Sequence, residues 1–522
     1  MTHILTLSDA VATHARVRPT KLALRDSRRR LTYAEWDARA TQLAGALLGL
    51  GLTQGDRVAV VAYNRLEWME LYAGLARAGL VVVPLNFRLS GPEMAYILDH
   101  AEVAAVVCGP EFCATIDSVR AALPVESDRY LVLSKADGAT PPPGWRSYDA
   151  LLAQADMAVP LPVVSPADPC ALMYTSGTTG RPKGAIRCHD GNTLIALATA
   201  LEMGFSSEDT ALLVMPLCHA NSLYFGTTFV HMGGTIVVDD SPSFDPEALL
   251  RTLSQDRVTF TSLVPTHYIM LLALPDEVKR QFDLRSVGKL MISSAPARQE
   301  TKRGILELFP NGQLYELYGS TEAGWVTLLR PHEQLSKLGS VGREWAGSGA
   351  IRLLDDQRRE VPDGEVGELF SRTAYVFNGY WKNPEKTAEA FDGVWCSVGD
   401  MARRDEDGYI WLVDRKSNMI ISGGENIYPS EVEAVLGQHA KVRDVAVVGV
   451  PHEKWGETAK AVVVLHDGQE ASEAELRDWC RQRLAGFKCP TSIDFVTETE
   501  MPRTATGKIL HRVLRMRYGQ AA

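Results

Sequence analysis

Paired cysteines, long apolar runs and a surplus of positive charge are all missing from this chain. Its eight cysteines are scattered, with no CxxC pair. The nearest two, Cys108 and Cys113, have no His or Cys ligand set beside them, which argues against a zinc site and against a disulfide framework. Reduced, mostly buried thiols in a cytoplasm are the expectation. No window reaches the roughly 18 uninterrupted apolar residues that a membrane span needs, so no membrane span is expected. The opening MTHILTLSDAVATHARVRPT has no apolar core of signal-peptide length, and the closing YGQAA is not a peroxisomal signal. A formal net charge of −10 argues against a general nucleic-acid binder, so no nucleic-acid partner is expected. Local basic sites for small anions stay open.

What is present is the composition of an ordinary soluble globular protein, 46% hydrophobic and 23% charged. At 522 residues it is too long for one simple core and predicts two or more domains. Residues 33–50 carry apolar positions at helical spacing and stop at Gly51. Val58–Val61 reads as a buried strand, a helix follows to about Arg77, and strand patterns return at Val81–Pro84 and Ala104–Cys108. Further strand-like runs lie at Ala211–Met215, Thr235–Val238, Val258–Val264 and Lys289–Ile292. This βαβα rhythm predicts an α/β fold, with helix-covered sheets in a large N-terminal domain.

Residues 135–168, rich in Ala, Pro and Gly, read as an irregular connection. From about Gly339 to Val413 the pattern is short strands and turns, a β subdomain with a hairpin turn at Asp405–Gly408. Beyond Arg415 a small α+β domain is expected. Capping boxes are expected at Ser430/Glu433 and Ser472/Glu475, and Gly486 at a helix C-terminus. The boundaries predicted are 1–414, a hinge at 415–417, and 418–522.

The string YTSGTTGRPKG, Tyr174 to Gly184, carries the first chemical signal. Gly177 and Gly180 let backbone N–H groups approach an anion, while Thr175, Ser176, Thr178 and Thr179 add hydroxyls and Lys183 a full charge. It reads as a polyphosphate cradle, and it is not the common P-loop because Gly184, not Ser or Thr, follows the lysine. Four further strings follow in order: YGSTEAG (318–324), SVGDMARRDEDGYIWLVDRKSNMIISGGENIYPSEVE (397–433), LAGFKCP (484–490) and PRTATGK (502–508).

Together these strings resemble the adenylate-forming superfamily of acyl-CoA synthetases, luciferases and peptide-synthetase adenylation domains, and most resemble a bacterial-type acyl-CoA synthetase. The resemblance covers essentially the whole chain. It implies an ATP-dependent carboxylic acid:CoA ligase. A carboxylate attacks the α-phosphate of ATP to give an acyl-adenylate and pyrophosphate, and coenzyme A then takes the acyl group. ATP, Mg2+ and coenzyme A are the implied cofactors and a small carboxylic acid the substrate.

By the same resemblance Glu322 holds the Mg2+, Thr175 and Lys508 act with it in catalysis, and Thr321 donates to the α-phosphate. Ala295, Pro296, Glu316, Tyr318 and Gly319 belong to the nucleotide site, Asp400 grips the ribose, and Arg415 lies near ribose and phosphates. Lys508 bridges carboxylate and α-phosphate from a loop that swings over the site. For the second step the small domain turns about the hinge at Ser417, where relatives commonly have Asp or Lys. That turn presents Ser422, Gly423 and Gly424 to the pantetheine arm, and Phe487 and Lys488 to the nucleotide end of coenzyme A. His219, Asn221, Thr266, His267 and Trp325 fall in the acyl-pocket segments and favour a medium-sized, cyclic, aromatic or functionalised acid over a long fatty acid.

Other readings differ in the acceptor or the chemistry. A stand-alone adenylation enzyme would load a separate carrier protein, a luciferase-like oxygenase would add oxygen chemistry, and a degenerate nucleotide-binding regulator would have lost its catalytic residues. A homodimer, and a lysine acetyltransferase acting on an exposed Lys508, complete the partners that the reading leaves room for.

Overall fold

The computed structural model describes residues 5–134, 140–156, 158–175, 182–293, 297–422, 425–453, 455–504 and 507–519, and its chain divides into two compact units. One comprises Met1–Ala350 and Ser371–Cys396, the other Ile351–Phe370 and Ser397–Ala522.

The first unit holds two large sheets. In one, the strands run in the order Arg146–Ser147, Tyr130–Val132, Val103–Cys108, Arg57–Val61, Val81–Pro84, Pro169–Thr175 and Lys183–Cys188. All neighbours are parallel except the last pair, which forms an antiparallel hairpin. In the other, Leu22–Arg25, Thr235–Val238, Thr210–Leu213, Phe260–Leu263, Lys289–Ile292 and Gln313–Ser320 are parallel neighbours, with antiparallel strands at both ends. Central strands such as Val81–Pro84 are buried on both faces, which is why they read as unbroken apolar runs rather than as alternation.

The helices Tyr33–Gly49, Glu67–Arg77, His189–Met203 and Ala220–Met232 contribute to a common core with side chains from both sheets, including Trp36, Trp68, Tyr224 and Phe225. The first of these is set by a capping box, Thr32 with Glu35, and Gly51 lies just past it at φ +82°, a conformation that favours glycine.

The second unit has an antiparallel sheet of Arg352–Leu354, Gly367–Phe370, Asp400–Arg404 and Ile410–Arg415. The turn Asp405–Gly408 joins its last two strands, with Gly408 at φ +83°. A second sheet is built on the long hairpin Val442–His452 and Gly456–Leu465, with Ser492–Phe495 parallel to the latter and Glu425–Ile427 and Ile420–Ser422 paired beside it. Compactness thus groups 351–370 and 397–414 with the C-terminal part.

Four local expectations change. The 135–168 connection contains a helix, Tyr148–Ala153, because Ser147 caps it and Tyr148, Leu151 and Leu152 form a buried face. Ser430 is no cap: its helix, Pro429–Leu436, starts one residue earlier, so Ser430 N–H instead donates to Asp414 at 2.8 Å and its hydroxyl to the Val413 carbonyl. Glu433 of the same expected box accepts from Val447 N–H and meets His511. Ser472 does cap Glu475 N–H, but the Glu475 carboxylate is drawn to Lys441, so that box is half formed. Gly486 opens a 3-10 turn, Gly486–Lys488, because the preceding helix already ends at Arg481.

Candidate active site

The two strands of the antiparallel hairpin pair Thr175 with Lys183, so the connection between them begins and ends side by side. Ser176, Gly177, Thr178, Thr179 and Gly180 lie outside the described residues, as do Ala295, Pro296, Gly423 and Gly424.

Across from this hairpin stands a second one. Gln313–Ser320 and Gly324–Leu329 pair down to Ser320 and Gly324, leaving Thr321, Glu322 and Ala323 as the turn. The backbones close so tightly that a Cβ on Gly319 would lie 2.3 Å from the Gly324 carbonyl oxygen. The turn presents Glu322, only 7% exposed, and the Thr175 hydroxyl donates to its Oε1 at 3.1 Å. The Tyr380 hydroxyl donates to the same oxygen at 2.9 Å.

Tyr380 was not legible as a site residue, since no spacing links it to the loops it joins. Its segment runs antiparallel to the loop strand. Tyr380 bridges to Ala185, Ile186 N–H donates to Gly379, and Trp381 N–H to Gly184. Three residues before Tyr380, Phe377 N–H donates to the Glu322 carbonyl at 2.7 Å. The Lys183 ammonium lies 4.1 Å from the Tyr380 ring centroid. Residues 377–381 therefore tie the phosphate-loop strand to the Glu322 turn.

Among the described residues no group of three or more His, Cys, Asp or Glu could hold a metal. The arrangement suits Mg2+ bound by one carboxylate with waters and phosphate oxygens, because Glu322 is buried and, among the described residues, fixed by two hydroxyls that both bond Oε1. Behind it, the fully buried Arg187 reaches the Thr321 carbonyl at 3.5 Å, and Tyr224 reaches the same carbonyl at 3.4 Å.

In the second unit, Asp400 and Arg415 are cross-strand partners, with Arg415 Nε 3.1 Å from Asp400 Oδ1. Asp400 follows Gly399, whose φ of +80° turns the chain into the strand. The residues that flank the Lys508 loop are paired with each other. Arg503 bridges to Ile509, Thr504 N–H donates to the Lys508 carbonyl, and Lys508 N–H donates to the Thr504 hydroxyl. The Lys508 residue is exposed, yet protein packed around its ammonium lowers its pKa. The Arg415 charge lowers it further, against an opposing pull from Asp400.

Other expected residues have different surroundings. The Glu316 carboxylate is buried against Lys302 at 2.5 Å; burial raises its pKa against the pull of that ammonium and of Ala297 N–H. Tyr318 is half-buried on the same strand. Asn221, in the first turn of its helix after the N-cap His219, donates from Nδ2 to Ser293 Oγ at 3.1 Å and Ser262 Oγ at 3.3 Å. Those serines lie at the carboxyl ends of neighbouring parallel strands, where ligands of such sheets bind. Thr266 is exposed, while His267 stacks on Phe244 at 4.0 Å and burial pushes its pKa down to about 4. Trp325 is a core residue, donating to Thr199 and packed edge-on to Tyr224. Ser422 ends a strand paired with Gly456, Phe487 is exposed, and Lys488 is held by Glu431 at 2.7 Å.

Comparison with known proteins matches this arrangement. The AMP-binding enzyme family matches residues 11–381, and the AMP-binding enzyme C-terminal domain matches 431–508. The indoleacetate–CoA ligase of Aromatoleum aromaticum is 36% identical, over 96% of both chains. A feruloyl-CoA synthase of an Amycolatopsis species is 38% identical, over 97% of both. Among solved structures, an anthranilate CoA ligase in complex with anthranoyl-AMP superposes with a TM-score of 0.87 at 29% identity, covering 99% of this chain and 98% of that one. With two paired hairpins carrying Thr175, Lys183 and Glu322, and with both family domains in order, the chain belongs to the AMP-binding enzyme family.

Proposed function

We propose that the chain is an AMP-forming carboxylic acid:coenzyme A ligase whose acid carries a hydrogen-bond donor on a ring. The observation that carries the ligase reading is the Glu322 carboxylate, buried and fixed by Thr175 and Tyr380 beside the end of the phosphate loop.

The substrate acid is already ionised near neutral pH, so the first step needs no protein base. Its oxygen attacks the α-phosphorus of ATP, the bond to the β-phosphate breaks, and pyrophosphate leaves. Thr175, Lys183 and the loop between them hold the phosphates in line for that attack. Mg2+, when bound at Glu322, supplies positive charge against the phosphate oxygens. Asp400 holds the ribose hydroxyls. Lys508 sets its ammonium between the carboxylate and the α-phosphate, and losing one such donor costs about 10²–10³ in rate. In the second step the coenzyme A thiol attacks the acyl carbonyl and AMP leaves. We assign the change between steps to a turn of 418–522 about Ser417, which exchanges Lys508 for the face carrying Ser422. Ser417 is small and uncharged and leaves that turn unobstructed. Phe487, exposed beside Lys488, suits the nucleotide end of coenzyme A.

The acid is read by Asn221. Its Nδ2 is taken up by Ser262 and Ser293, which leaves Oδ1 as an acceptor for a phenol, indole or aniline donor. Relatives named for indoleacetate, ferulate and anthranilate act on acids of that kind. Eight free cysteines support a cytoplasmic setting, and the exposure of Lys508 supports acetylation there as an off-switch.

The test is a panel of aryl and straight-chain acids, with pyrophosphate and AMP measured with and without coenzyme A. Coenzyme-dependent AMP formation, fastest with donor-bearing rings, is expected. ATP–pyrophosphate exchange without any thioester would point to carrier loading, and release of ADP would overturn the reading.

A further inference from the structure

The side chain of Asn64 joins the two large sheets of the first unit. Asn64 stands three residues past the strand Arg57–Val61 of one sheet, and residues 214–217 leave the carboxyl end of Thr210–Leu213 in the other. Asn64 Nδ2 donates to the Val214 and Met215 carbonyls, both at 3.2 Å, and its Oδ1 accepts from Leu217 N–H at 2.8 Å. The donor and acceptor of the amide are both spent on one stretch of main chain.

That stretch cannot satisfy itself. The ladder of Thr210–Leu213 with its parallel neighbours stops at Leu213, and Pro216 has no N–H to offer. Met215 and Leu217 are buried, at 3% and 0% exposure, where an unpaired main-chain group is costly. Two hydroxyls complete the hold. Ser222 donates to the Met215 carbonyl at 2.7 Å, and Tyr72 donates to the Leu217 carbonyl at 2.6 Å.

Asn64 is presented from a fixed frame. The next residue, Arg65, makes two bonds of 2.8 Å to the buried Glu67 carboxylate, and Leu66 N–H donates to Asp26 at 3.1 Å. Trp68 Nε1 donates back to the Tyr63 carbonyl at 3.1 Å. The frame and the held stretch lead on to the acid side. His219 N–H donates to the Pro216 carbonyl at 3.0 Å, His219 is the N-cap of Ala220–Met232, and Asn221 stands in the first turn of that helix. The path of 214–217 therefore sets where the helix starts, and with it where Asn221 Oδ1 points.

We infer that Asn64 is a positioning residue for recognition of the acid: it fixes 214–217 against the neighbouring sheet and so aims Asn221 at the ring-borne donor. Its own amide is committed to main chain and is not offered to the substrate. This rests on the reading of Asn221 as the acceptor for that donor.

The experiment compares para-hydroxyphenylacetate with phenylacetate, and indoleacetate with N-methylindoleacetate, in the wild type, Asn64→Ala and Asn64→Asp. Pyrophosphate release gives kcat/KM for each acid, and KM for MgATP is the control. The wild type is expected to prefer the donor-bearing member of each pair. N64A is expected to shrink that preference about fivefold, the scale of one neutral hydrogen bond, while KM for MgATP holds. N64D keeps an acceptor for Leu217 N–H but sets an oxygen against two carbonyls, so the same shrinkage is expected. A role in folding alone would lower both members of a pair alike. An unchanged preference in the variants therefore overturns the inference. If N64A does not fold, the preference in N64D decides between the same two outcomes. A wild type without any preference would instead overturn the reading of Asn221 itself, so the two failures are distinct.

Discussion

Among the described residues, both hydroxyl donors to Glu322 meet one oxygen of its carboxylate, a division that holds the carboxylate still without neutralising it. Of the two donors, Thr175 was legible because it stands in the phosphate-loop string. Tyr380 was not, because its bond to Glu322 spans 58 residues and depends on a backbone pairing with Ala185 that no local pattern announces. Replacing it tests the division. Tyr380→Phe keeps the ring beside Lys183 but removes one hydrogen bond to a charged group, worth about 1.5–3 kcal/mol. Adenylation is expected to fall about tenfold, with a higher Mg2+ concentration for half-maximal rate and thioester formation from a supplied acyl-adenylate spared. A Mg2+ titration of pyrophosphate release is the check, and an unchanged titration curve would contradict the role. The acid-binding side chains were less legible. The segments holding Asn221, His267 and Trp325 were identified, but not their directions. The strand Gly324–Leu329 is buried on both faces, so alternation cannot say which way Trp325 points, and it lies in the core against Tyr224.

At the scale of elements, the packing of the C-terminal helices is set by contacts that no capping rule reveals. Ser430 and Glu433 have the spacing of a capping box, yet each is used across elements, Ser430 toward Val413 and Asp414, Glu433 toward Val447 and His511. Burial alone would lower the His511 pKa; the hydrogen bond and charge of Glu433, aided by Asp414 and the Ile509 backbone, raise it instead. A folded-state pKa above the unfolded value of 6.5 means the imidazolium stabilises the fold in full below that value. The stabilisation is lost as pH climbs through the raised folded pKa. Thermal melts from about pH 5.5 to about pH 8.5 should show stability falling across the upper part of that range, with a flatter profile in His511→Gln. An H511Q profile parallel to the wild type would remove His511 as the cause. The strands Val58–Val61, Val81–Pro84 and Lys289–Ile292, by contrast, were placed well from sequence, because unbroken apolar runs leave them few alternatives, whereas the hairpin of Pro169–Thr175 and Lys183–Cys188 was not read as one.

For the molecule as a whole, five strings in a fixed order made the family visible, while the unit boundary stayed hidden. The sequence places a pivot at 415–417, and compactness instead joins 351–370 and 397–414 to the C-terminal part. The two statements concern different properties. The proposed pivot concerns where the chain would turn, and compactness records which antiparallel strands, such as Asp400–Arg404 with Ile410–Arg415, are paired with each other. No Gly/Ser linker marks either. The central claim is that a carboxylate oxygen attacks the α-phosphorus of ATP, and labelling follows that atom directly. With an acid turned over by the enzyme and carrying 18O in its carboxylate, one labelled oxygen is predicted to appear in AMP and none in pyrophosphate. Label in inorganic phosphate, with ADP as the nucleotide product, would contradict the account.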